Sequence, residues 1–161
     1  MSSAQFLLLA GGILFFANLV LTFNRTSMSQ ALVVYENESF IYGESLSQGL
    51  IEEIQTRAFD ENTLSGMVDS PEELSSANGL GHDSGEDAMT KFDDIDDFNN
   101  FTFTDSLSGH GNFVVNISVY YINTYLPDVQ SSLPTFSKRV DISMDNPYLQ
   151  GTVKVSKIFS Y

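Results

Sequence analysis

From Phe6 to Phe23 the chain reads FLLLAGGILFFANLVLTF, eighteen residues without an ionisable side chain and with only Asn18 and Thr22 as polar interruptions. At about 1.5 Å of rise per residue, a helix of that stretch covers roughly 27 Å, close to the hydrocarbon thickness of a bilayer. The 161 residues suffice for one domain of ordinary size plus a helical extension. A single small core has no room for such a run, so lipid or other protein has to meet it. A cleaved secretory signal fits less well, because no Lys or Arg precedes the run and no small-x-small site closes it. A plain single-pass anchor is the stronger competitor. Ala10, Gly11, Gly12 and Ala17 would let helix backbones approach closely, and the paired glycines are expected to unwind the helix locally.

No proline occurs before Pro71, so one helix is permitted from about Ser3 to Arg57, on the order of 80 Å long. After Arg25 the apolar pattern becomes one-sided. Leu32, Tyr35, Ser39, Tyr42, Leu46, Leu50, Ile54 and Ala58 follow three- or four-residue steps and are expected to form one stripe. Residues 1–58 are therefore assigned to a long N-terminal helix, with 1–24 as its filament-core or transmembrane part. Residues 59–161 are assigned to an acidic loop region and a C-terminal head.

Between Asp60 and Asp97 twelve Asp or Glu stand against the single Lys91, among many Ser, Gly and Asn, so regular structure should be sparse there. Residues 75–87 are expected to be its exposed loop. Beyond Asn100 the alternation turns to period two. Residues 112–122, 138–144 and 151–160 read as strands, a loop with Pro127 and Pro134 joins the first two, and an antiparallel sheet of three or four strands is expected. The fold class is thus α+β, a long helix packed by its amphipathic half on a small antiparallel sheet.

The formal charge of -14 argues against direct nucleic-acid binding, since phosphate recognition needs a basic surface. Without cysteine there is no disulfide, thiolate metal site or cysteine nucleophile. Phosphate-loop and dinucleotide glycine motifs are missing, and so is a nucleophile elbow. His82 and His110 are read as surface-loop residues, and no enzymatic activity is expected. Asp93, Asp94, Asp96 and Asp97 place four carboxylates within five residues, a set able to ligate Ca²⁺ but without the spacing of an EF-hand; a turn capped by Asp side chains is the competing reading. Asn24, Asn37, Asn100 and Asn116 each open an acceptor sequon for glycosylation.

The apolar start running into SLSQGLIEEIQTRAFDE, the later FDDIDDFNNF and the closing KRVDISM together resemble type IV pilins and pseudopilins. The likeness is greatest to minor pilins of the mannose-sensitive haemagglutinin type and to type II secretion pseudopilins, and it covers about two thirds of the chain. It implies a structural subunit that polymerises into an extracellular filament through Phe6, Leu7, Leu8, Leu9, Ile13, Leu14, Phe15, Phe16, Leu19, Val20, Leu21 and Phe23. Identical subunits, pilus assembly machinery, a leader peptidase and, before assembly, the inner membrane are the partners implied. Family members usually carry a glutamate near the helix start, which pairs with a neighbour's terminal amine. Here Gln5 takes that place, so Met1 and Gln5 are the expected inter-subunit contact, without the charge-assisted part of the bond. Numbering is expected to begin at the processed, mature end. The alternative is a membrane-anchored extracytoplasmic binding module that never polymerises.

Overall fold

The structure, a computed structural model, describes residues 2–161. It begins with helix α1, Ser3–Gln55, 53 residues without interruption. Ser2 and Gln5 close its first turn reciprocally: the Ser2 amide donates to Gln5 Oε1 at 2.9 Å and the Gln5 amide to Ser2 Oγ at 3.4 Å. This is a capping box of the Ser-x-x-Gln kind. The expected unwinding at Gly11 and Gly12 does not occur; both are helical, with open space around their missing Cβ positions. The polar interruptions are satisfied within the helix, Thr22 Oγ1 donating to Asn18 Oδ1 and Thr26 Oγ1 to the carbonyl of Thr22.

The chain divides into two compact units, residues 1–38 and 39–161. In the second, the buried line of α1 is Ser39, Gly43, Ser47, Leu50, Ile51 and Ile54. This corrects the stripe expected from the sequence in part: Ser39, Leu50 and Ile54 are buried as expected, but Leu32 and Tyr35 are exposed, and Tyr42 and Leu46 sit half-buried at the margin. Small residues lead because they bring the helix backbone close to the sheet. A Cβ at Gly43 would lie 3.8 Å from Val153 Cγ2, 3.9 Å from Met144 Sδ and 4.0 Å from the Phe113 ring.

Five antiparallel strands follow: β1 (Thr102–Leu107), β2 (Gly111–Asn123), β3 (Leu126–Gln130), β4 (Ser137–Asp145) and β5 (Val153–Ser160). Their order is β1-β2-β4-β5, with β3 paired to the end of β2. The register sets Val115 opposite Met144, Ile117 opposite Ile142 and Val119 opposite Val140, so apolar pairs, two of them β-branched on both strands, line the inner face. β3 contradicts the loop expected around Pro127. It is a fully exposed edge strand, where proline's missing N–H removes no bond from a central ladder. The hairpin between β1 and β2 turns on Gly109 (φ 84°) and Gly111 (φ 73°), a backbone that glycine adopts without strain.

The acidic segment holds only a one-turn helix α2, Glu61–Leu64, and two 3-10 turns at 71–73 and 96–98. Phe59, Val68, Leu74, Leu80, Phe92, Ile95 and Phe98 nonetheless enter the core beside Leu50, Ile51 and Ile54 of α1. Leu80 is the correction to the expected exposed loop over 75–87: its side chain is buried and its carbonyl accepts from Asn99 Nδ2 at 3.0 Å.

Candidate functional site

All twelve residues named for filament packing, Phe6 to Leu9, Ile13 to Phe16, Leu19 to Leu21 and Phe23, are exposed, from 44% at Val20 to 78% at Leu8. The segment is long and apolar enough to cross a membrane, and none of its most apolar stretch is buried. Leaving a large aliphatic or aromatic side chain in water forgoes about 1.5–3 kcal/mol. A contiguous surface of this kind marks a membrane or protein contact. Gln5 belongs to the cap of its own helix through Ser2, which the sequence signalled in the spacing of Ser2 and Gln5. Met1 lies outside the described residues.

The four aspartates part company. Asp94 Oδ1 accepts from the amides of Asp96 (2.6 Å) and Asp97 (3.1 Å), while Asp97 Oδ2 accepts from those of Asp93 (2.9 Å) and Asp94 (3.2 Å). Each carboxylate thus holds the turn that positions the other. Asp93 and Asp97 converge with Glu86, a residue sequence reasoning missed, so that one oxygen from each lies within 4.8 Å of the others. Three convergent carboxylates are the chemistry that a hard cation takes. Asp94, Asp96 and Asp97 are all buried, 1%, 4% and 3% exposed, while Asp93 is exposed, and Asp94 and Asp96 take no part in that convergence.

There Asp96 meets Lys138, which is wholly buried. The ammonium donates to the Phe59 carbonyl at 2.7 Å, to Asp60 Oδ2 at 2.8 Å and to Asp96 Oδ1. The rings of Phe59 and Tyr121 lie 4.5 and 4.9 Å from Nζ. Asp60 also accepts from the Tyr121 hydroxyl at 2.7 Å, the Ser75 amide and hydroxyl, and the Asn62 amide. Burial alone would raise its pKa, but the bond to Lys138, the Lys138 charge and the Tyr121 and Ser75 donors outweigh burial and hold it at about 2. Asp96 and Asp94 go the other way. Burial lifts Asp96 to about 7 against the pull of Lys138, and burial with the charges of Asp96 and Asp97 lifts Asp94 to about 8. Burial and the bond to Asp60 raise the Tyr121 hydroxyl.

His82 stacks on Phe92 and His110 packs edge-on against Tyr148, both 6.3 Å between centroids. The sequon asparagines Asn24, Asn37, Asn100 and Asn116 are all exposed. Their hydroxyl partners differ: Ser39 is buried beside Asn37, and Thr102, which completes the Asn100 sequon, donates to Asn116 Oδ1 at 3.0 Å. Asn100 adopts a positive φ of 59°, a conformation asparagine tolerates.

In comparisons with known proteins, no family model, curated sequence or solved structure matches the chain.

Proposed function

We propose that this chain is a structural subunit of a type IV pilus-like extracellular filament, held in the inner membrane by the first part of α1 and polymerised through it afterwards. The observation that carries the reading is a single helix that is apolar and unburied over residues 6–23 and, over 39–55, supplies the core of a small antiparallel head. Lipid satisfies such a surface before assembly, and identical helices of other subunits satisfy it after extraction. The contact between copies is heterologous, so it propagates into a helical polymer instead of closing. Assembly machinery and a leader peptidase enter with the resemblance to pilins and pseudopilins.

Negative-stain microscopy of sheared cells, with the chain identified by mass spectrometry of the fibres, tests this. Fibres built of the chain are expected; detergent-soluble monomers alone would sink it. The convergence of Glu86, Asp93 and Asp97 favours a second reading, a bilayer-anchored extracytoplasmic module whose acidic surface takes Ca²⁺ or a basic partner. That reading requires the chain to stay monomeric in detergent and the head to melt higher with Ca²⁺ than with a chelator.

A further inference from the structure

We propose that Lys138 and Asp96 condense into an intramolecular amide, a covalent brace between β4 and the turn at residues 93–97. Lys138 Nζ is fully enclosed and in hydrogen-bonding contact with Asp96 Oδ1. A nitrogen hydrogen-bonded to one carboxyl oxygen needs only a short movement to reach a near-attack conformer, in which reacting atoms are about 3–3.5 Å apart. The Phe59 and Tyr121 rings, 4.5 and 4.9 Å from Nζ, help keep water away from the amine.

The two carboxyl groups beside the lysine are not equivalent. Asp60 accepts from Lys138, Tyr121, Ser75 and Asn62, so its carboxylate is fixed by donors and stays ionised through the reaction, holding the lysine in place. Asp96 is 4% exposed and has one oxygen on Lys138, while Oδ2 finds no hydrogen-bond partner. That unengaged oxygen is the one able to leave. In the reaction, the Lys138 ammonium passes one proton to the Asp96 carboxylate it contacts, so that a neutral amine faces a neutral carboxyl. The nitrogen lone pair then attacks Cγ of the neutral Asp96 carboxyl. The C–Oδ2 bond breaks, and the hydroxyl departs as water with a second proton from nitrogen. The products are one amide and one water, with Asp60 still a carboxylate, charge and atoms conserved and no oxidant or reductant involved. Enclosure favours the exchange, because a neutral amide replaces two buried ions that are costly to hold away from water.

Tryptic mapping of the full chain under denaturing conditions decides the matter. Cleavage after Lys91 and Arg139 is expected to release residues 92–139, lighter by one water, uncut after Lys138 and without backbone fragments inside the ring from 96 to 138. A simple aspartyl dehydration would also lose water, but would leave the Lys138 bond cleavable. Release of residues 92–138 at full mass overturns the proposal. A link between 58–91 and 92–139 would place the bond on Asp60 and overturn the assignment to Asp96. Lys138→Arg, which keeps the charge, is expected at full mass throughout.

Discussion

Asp94 is, with Asp96, a residue whose proton ties the head's stability to pH. Its carboxyl is buried against Asp96 and Asp97 and lifted to about 8, far above the ordinary 3.8. A carboxyl raised on folding binds its proton more tightly in the native state, so its contribution is complete below the unfolded value and fades as pH climbs through the folded one. The head is therefore expected to melt higher at pH 5 than at pH 8, and Asp94→Asn, which copies the protonated form, to flatten that slope. Each kcal/mol moves the midpoint of a domain of this size by about 2–8 °C, within reach of a thermal melt followed by circular dichroism. Equal melting at both pH values would refute the assignment. Tyr121→Phe is expected to cost about 1–3 kcal/mol in chemical denaturation, since it strips a donor from Asp60 and leaves the Ser75 carbonyl short of a partner. Part of this site was legible beforehand. Lys138 shares the parity of Val140, Ile142 and Met144, and Tyr121 that of Val115, Ile117 and Val119, so both belonged on the inner face. Asp60 was not legible, because nothing local marks which acid of a loop will reach a lysine 78 positions away.

At the level of elements, α1 was readable from its lack of proline and its apolar start, and the three strands with β-branched alternation were readable too. The misses have a shared cause. On the face of α1 that lies on the sheet, the expected stripe held Ser39 but not Gly43 and Ser47, because small residues carry no hydrophobic signal although they set how closely a helix approaches. β1 (TFTDSL) and β3 (LPDVQ) are likewise too polar, too short or too exposed for alternation to announce them; pairing to β2 makes them strands. The closeness at Gly43 separates two substitutions. Gly43→Ala places its methyl at ordinary contact distance from Val153, Met144 and Phe113 and gains helix propensity, so it is expected to leave the head as stable or raise it by up to about 1 kcal/mol. Gly43→Leu has no such room and is expected to cost about 1–3 kcal/mol by overpacking. Denaturant titration of the two variants, solubilised in the same detergent, checks the order; Leu melting with Ala would mean the helix does not seat as described.

For the molecule as a whole, two surfaces pull in opposite directions. The apolar run of α1 favours association, while a formal charge of -14 on every copy resists it. Screening decides the balance: the Debye length falls from about 30 Å at 0.01 M ionic strength to about 8 Å at 0.15 M, while burial of apolar surface is much less affected over that range. Lowering detergent below its micellar concentration is therefore expected to give more sedimentable polymer at the higher salt than at the lower, with repulsion between acidic heads as the variable. Leu14→Glu, a charge in the middle of the exposed run, is expected to abolish sedimentation at either salt, because a carboxylate in an apolar surround costs several kcal/mol per copy. If Leu14→Glu sedimented like the parent chain, association would be running through the heads. Polymer that instead grew as salt was removed would mean that ion pairs between copies, not the apolar helix, hold the assembly together.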